Sequence, residues 1–151
     1  KAFVIGKLDS DYYFPADDYQ VCKGVTVHSE APAIIKREGV YHMLGSGSKG
    51  WNANPARYHT TDNIIGTWTY HGNPCIGYNK IDEVGVEKTF GGQASYIMPV
   101  AGIRDAYIAM FDIWKPKKPI KGRYIWLPIE FTDDKMSISW KDKWKLSTFN
   151  K

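Results

Sequence analysis

Helical periodicity is all but absent from this sequence, and that shortage most limits the folds open to it. In its place stand short runs of β-branched and aromatic residues, cut by glycine, proline and paired aspartates. Residues 2–8 and 21–28 read as strands, with a turn-rich stretch at 9–18 between them. Four more strands follow closely at 32–36, 41–46, 56–61 and 66–71. The turn Arg37-Glu38-Gly39 places a glycine where a tight hairpin needs positive φ. Residues 62–65 could close one helical turn, and 73–92 form the longest polar connection, of a length usually kept for function. A second set of strands lies at 94–100, 106–112, 124–131 and 137–140, with a tail at 143–146.

The two sets repeat. Glu30-Ala31-Pro32-Ala33-Ile34-Ile35 has the pattern of Gln93-Ala94-Ser95-Tyr96-Ile97-Met98. Four short antiparallel strands, repeated, are the mark of propeller blades. The expected fold is therefore all-β, a partial β-propeller with about two complete four-stranded blades and part of a third. A plain β-sandwich of about eight to ten strands is the alternative. In a propeller the first strand of each blade lines a central channel, so Glu30 and Gln93 would face one another across a shared pocket.

With 151 residues the chain is read as one domain, residues 1–151. Six tryptophans and ten tyrosines supply apolar mass for a core, while a mean hydropathy of −0.41 matches a water-soluble chain. The net charge of +4 is spread out, and only 115–121 is locally basic, interrupted by Pro116 and Pro119. That argues against nucleic acid as a partner. No apolar run has the roughly 18 residues of a membrane span, so no membrane partner is expected. The start at Lys1, without methionine or a signal-like segment, reads as a mature or trimmed product. Cys22 and Cys75 match no zinc spacing, and whether they pair or stay free is open.

The chemistry-bearing residues gather around the repeat. A carboxylate at the mouth of an apolar strand is partly desolvated, which favours the neutral form that a general acid needs; Glu30 is placed there. Trp51 sits in a Gly/Ser/Asn loop beside Asn52 and Asn54, where its face suits the C–H face of a sugar. Gln93 follows Gly91-Gly92, so backbone can approach closely and an amide can hold a water or hydroxyl. Asp112 and Trp114 end a strand of the second set and are candidates for the pocket mouth. Trp126, Trp140 and Trp144 read as packing residues, and the four histidines show no ligand spacing. Ser46 and Ser48 lie near glycines, but no His/Asp arrangement makes either a nucleophile.

Read together, Glu30-Ala-Pro-Ala, Lys36-Arg-Glu-Gly-Val-Tyr-His-Met-Leu, Ser46-Gly-Ser-Lys-Gly-Trp-Asn-Ala-Asn-Pro-Ala and Gly66-Thr-Trp-Thr resemble the family-43 glycoside hydrolases. The exo-β-1,3-galactanase branch is the most similar. Phe90-Gly-Gly-Gln, residues 107–114, Arg123-Tyr-Ile-Trp-Leu-Pro and Trp140-Lys-Asp-Lys-Trp fit the same pattern in order. The resemblance implies a five-bladed propeller that cleaves terminal β-galactosides with inversion. It implies Glu30 as general acid, Gln93 as a water-holding partner and Trp51 as the stacking platform; Ser48, Asn52, Asp112 and Trp114 stand beside them as candidate substrate-binding residues. It also implies an oligosaccharide or polysaccharide substrate and a secreted or periplasmic location. No cofactor follows from it beyond a structural calcium ion, for which no dedicated carboxylate cluster stands out.

Two departures qualify the match. Ser48-Lys49 replaces a usual Cys-Thr, and Asp112-Ile113-Trp114 replaces Asp-Arg-Trp. The chain also corresponds only to the second half of the family's domain, without the early blades and their base aspartate. Activity is then expected to be incomplete in this chain alone, with a second copy or a second chain completing the propeller. The alternative is a non-catalytic carbohydrate-binding or truncated propeller module.

Overall fold

A computed structural model describes residues 3–150; Ala2, at the start of the first expected strand, lies outside the described residues. The architecture is all-β, with short 3-10 segments as the helical content of the described residues. β1 (Val4–Leu8) and β2 (Pro15–Val21) form a separate antiparallel hairpin. Its tip carries exposed Tyr12, Tyr13 and Phe14. The expected strand at 21–28 is not formed. β2 instead uses residues from the turn-rich stretch, and the chain after Val21 makes one bridge, Lys23 to Thr67. Gly24 is essential to that crossing, because a Cβ there would lie 1.9 Å from the Trp68 carbonyl oxygen.

The first repeat is a four-stranded antiparallel meander. Its strands are β3 (Ser29–Arg37), β4 (Val40–Gly47), β5 (Ala56–Thr61) and β6 (Thr69–Gly72), hydrogen-bonded in that order. Glu38 and Gly39 both take positive φ, giving the two-residue turn whose twist matches the strands it joins. Residues 62–65 form a turn rather than a helix, because the Thr61 hydroxyl donates to the Asn63 and Thr67 carbonyls and ties the loop off locally.

The long connection at 73–92 is not featureless. It holds β7 (Cys75–Ile76), β8 (Tyr78–Asn79), β9 (Val84–Gly85) and a 3-10 segment at Val86–Gly91. The second repeat then begins with β10 (Gln93–Pro99), β11 (Tyr107–Ile113) and β12 (Arg123–Pro128).

Here the expected fourth strand does not join. Pro128 ends β12, and the Ile129 N–H is spent on the Tyr107 carbonyl. β13 (Glu130–Thr132) and β14 (Lys135–Ser139) then fold into their own hairpin around Asp133 and Asp134, both at positive φ. β14 pairs in parallel with β7, so this sheet borrows a strand from the long connection. The described residues thus hold five sheets, one four-stranded, two three-stranded and two two-stranded, and the second set contributes three strands to one sheet rather than four. Residues 143–146 are bends, not a strand.

β4 is buried on both faces. Leu44 points into the main core with Tyr58, Phe90, Phe111, Leu127 and Ile138, while Met43 meets Cys22 and Trp68 on the other side. The two cysteines belong to different clusters and are free thiols. Trp140 packs on Phe90 as expected of a packing residue, whereas Trp126 is half exposed.

His42 and His59 are fully buried on β4 and β5. Burial first, and the nearby charges of Arg37 and Arg57 second, push both imidazoles down to about 4 from the ordinary 6.5. The unfolded chain therefore takes up protons between about pH 6.5 and 4 that the folded chain refuses. Stability is full above pH 6.5 and falls as the pH drops towards 4, by roughly 3 kcal/mol for each histidine. Urea titrations at pH 7.5 and 4.5 should show a clearly lower midpoint at the acid pH. An unchanged midpoint would mean that the two rings are not held neutral.

Candidate functional site

β3 and β10 lie against one another, each as the first strand of its sheet. Their opening residues meet: the Gln93 Nε2 donates to the Glu30 Oε1 at 3.0 Å and to the Ser46 Oγ at 2.8 Å. The repeat seen in the sequence extends to a shared irregularity. β3 slips register between Glu30 and Ala33, with Ala31 at φ 54°, and β10 slips between Ala94 and Tyr96. Such bulges re-aim the preceding side chain. Counting back from the Glu38-Gly39 turn would set residue 30 opposite Gly47. The bulge sets it opposite Ser46, as Gln93 is set opposite Asp112.

The approach to Glu30 is clamped from β5. The Arg57 Nη1 donates to the Val27 carbonyl at 2.8 Å and to the Ser29 Oγ at 2.8 Å. The Thr26 N–H donates to the His59 Nε2 at 3.2 Å, which requires that nitrogen to be unprotonated. These bonds hold the backbone just before Glu30, whose carboxylate itself accepts from the Gln93 amide.

The platform loop is closed by Asn54. Its Oδ1 accepts the Gly47 N–H at 2.6 Å, and its Nδ2 donates to the Gly47 carbonyl at 2.9 Å. A Cβ at Gly47 would stand 2.9 Å from both Asn54 and Arg57, so this crossing admits only glycine without movement. The Asn54 carbonyl in turn accepts the Thr89 hydroxyl at 2.7 Å. Thr89 and Phe90 are both held at positive φ, a costly conformation for non-glycine residues, just before Gly91-Gly92 delivers Gln93. Burial and the Asn54 bond hold that kink in place.

These loops and strands enclose a cavity of about 360 Å³ lined by Trp51, Asn52, Gln93, Asp112 and Trp114 among others. Trp51 is 72% exposed and Trp114 50%; their rings lie 5.3 Å apart at 35°. The two meanders thus each contribute one tryptophan to an open aromatic wall. Asp112 is exposed, 3.4 Å from the Ser95 Oγ. Ser48 stands apart from the cavity lining; its backbone N–H is used by the His28 carbonyl. Ile113, where the resemblance expects arginine, is buried in the main core and offers nothing to a ligand. Among the described residues no group of three or more His, Cys, Asp or Glu side chains could hold a metal ion. No helix among them is long and apolar enough to cross a membrane.

The sequence reading names Ser46 only to set it aside as a nucleophile and Asn54 only as a neighbour of Trp51, so their roles escaped it, as did Arg57 and Thr89 altogether. Ser46 depends on the bulge, and the other three act on loops distant in sequence, a pairing that spacing does not reveal.

The chain is similar to solved structures over nearly its whole length. It matches a family-43 β-1,3-galactosidase at 33% identity and a TM-score of 0.86, covering 97% of this chain and 30% of that one. A second family-43 β-1,3-galactosidase, solved with galactodeoxynojirimycin, matches at 38% identity and a TM-score of 0.81, covering 95% and 39%. An exo-β-1,3-galactanase from Phanerochaete chrysosporium, solved with β-1,3-galactotriose, matches at 26% identity and 0.75, covering 90% and 29%. The chain therefore spans about a third of the length of these structures. No family model matches it, and no curated protein does.

Replacing Asn54 with alanine would take the side-chain acceptor from the Gly47 N–H and leave the Gly47 carbonyl with the longer Ser46 hydroxyl bond at 3.3 Å, in a buried place. The expected loss is about 2–4 kcal/mol in urea unfolding, with freer motion of Trp51 visible as faster decay of its fluorescence anisotropy. Wild-type stability in Asn54→Ala would show that the loop is held by other contacts.

Proposed function

We propose that this chain, a member of the family-43 glycoside hydrolases in their β-1,3-galactosidase branch, carries the general acid and part of the sugar cradle of an enzyme that releases terminal β-galactose. The observation that carries this reading is the direct contact of Glu30 with Gln93 beside the cavity walled by Trp51 and Trp114. The solved relatives with galactotriose and with galactodeoxynojirimycin support the choice of substrate.

In this reading Glu30 protonates the departing glycosidic oxygen. Gln93 suits the task of holding it, because an amide matches both states of the acid. Its N–H donates to the carboxylate, and its carbonyl, after the amide turns over, accepts the O–H of the neutral form. Ser46 fixes the amide from the other side. Inverting hydrolysis sets acid and base roughly 6.5–9.5 Å apart, with a water and the sugar between them. Gln93 stands much closer than that to Glu30, so to aim a water it must first turn away from the acid. We assign the base to the part of the fold that this stretch does not span, supplied by the same polypeptide or by a second one. The full architecture in this reading is a five-bladed propeller working on a polymer, and hence outside the cytoplasm. Trp51 and Trp114 give the galactose ring an apolar face, and Asn52 and Asp112 offer hydrogen bonds to its hydroxyls.

A second reading is a sugar-binding module without turnover. It is favoured by the open tryptophan wall of the cavity, which can hold a sugar whether or not a bond is cut. Galactose release from β-1,3-galactan separates the two. Glu30→Gln should cut release by about 10²- to 10⁴-fold while oligosaccharide binding persists. Normal release by that variant would remove Glu30 from the acid's role. Binding without release in the wild type would leave the module reading.

A further inference from the structure

The basic stretch noted in the sequence has no use in the chemistry above, yet it borders the sugar cavity. Lys88 and Lys115 line that cavity, in which Asp112 is the acidic lining residue. Lys115 also lines a second concavity with Pro116, Lys117, Lys118 and Lys121; its wall is the apolar part of these side chains, so their ammonium groups lie outside it. The two hollows share Lys115 as a lining residue. From Lys115 to Arg123 the sequence contains no acid. Among the described residues none of the five lysines has a carboxylate within ion-pair distance.

The turn that carries them is built rather than loose. The Lys118 N–H donates to the Lys115 carbonyl at 2.9 Å, the Lys121 N–H to the Lys118 carbonyl at 2.9 Å, and the Gly122 N–H to the Pro119 carbonyl at 2.8 Å. Pro116 and Pro119 restrict φ at two further points. The backbone thus fixes where the charges project, while each ammonium remains a mobile, hydrated donor.

Resting on the galactoside reading, we infer that this enzyme is specific for galactan carrying anionic groups, carboxylate or sulfate, and that the lysine turn receives them as the chain leaves the cavity. Lys88 and Lys115 line the cavity, whereas Lys117, Lys118 and Lys121 lie outside its lining. They would contact a substituent or a neighbouring unit, not the sugar being cleaved. A polysaccharide fits better than nucleic acid because the patch is one short turn on a chain of modest net charge, and because one of its lysines, Lys115, also lines the cavity walled by tryptophan. Exposed ion pairs are individually weak and screened by salt, so the preference has to come from several lysines together.

The test is titration of the protein's tryptophan fluorescence with three β-1,3-linked galacto-oligosaccharides of equal length: neutral, uronate-bearing and sulfated. In about 20 mM salt one or both anionic forms should bind roughly three- to thirtyfold more tightly than the neutral one. The two anionic arms identify the group. In about 0.5 M salt the advantage should vanish. The triple variant Lys117→Gln/Lys118→Gln/Lys121→Gln, whose residues lie outside the sugar cavity, should lose the advantage and bind the neutral form as before. Equal binding of neutral and anionic forms at low salt would overturn the proposal while leaving the galactoside reading intact. So would an advantage that survives in the triple variant. No binding of any of the three would overturn both. Tighter binding of a single-stranded oligonucleotide or of anionic vesicles than of the anionic sugars would assign the turn to another class of partner.

Discussion

The hydrogen bond from Gln93 to Glu30 is the point on which the rest of the site depends. It joins the first strands of two meanders, so it exists only if both sheets are correctly placed. Neither residue reaches the other through local structure. The main core supplies the registration: Leu44 and Tyr58 from the first meander, and Phe111, Ile125 and Leu127 from the second, share one buried cluster. Their burial drives the sheets together without regard to direction. The bulges and clamps then decide which side chains face each other.

Support for this contact is layered. Arg57 and His59 hold the backbone just before Glu30, and Asn54 and Thr89 bind the platform loop to the kink before Gln93. The platform and the acid-holding amide are therefore linked through buried hydrogen bonds rather than through flexible loops. Positive φ at Thr89 and Phe90 is tolerated because their surroundings over-determine it. The long stretch at 73–92 does two tasks at once: it lends β7 to the third sheet and brings this kink to the cavity.

Much of this was legible in the sequence. Strand positions in the first meander followed from β-branched and aromatic runs bounded by turn residues, and the resemblance between Glu30-Ala-Pro-Ala and Gln93-Ala-Ser-Tyr marked the two equivalent strand starts. Trp51, Asn52, Asp112 and Trp114 come together at one cavity, although nothing local links residue 51 to residue 114. What spacing could not show was pairing at long range. β14 looked like a fourth strand of the second meander because its composition suits any edge. Pro128 and the spent N–H of Ile129 send it elsewhere. The 21–28 stretch alternates like a strand, but the preceding residues pair with β1 in its place. Ser46 stayed hidden for a similar reason, since its position opposite Glu30 depends on one extra residue in a ladder.

That extra residue has a consequence for descent. Regular pairing of β3 throughout, with no residue lost, would set Glu30 opposite Gly47 instead of Ser46 and keep Leu44 and Met43 in the pairs that they already make. The sheet would be at least as regular, and the carboxylate would turn away from its amide. Folding and chemistry are therefore separable at a single position. On the proposed function, a lineage could shed turnover there silently, keeping a sound core while its members become sugar-binding proteins that no measure of foldedness would tell from catalytic ones.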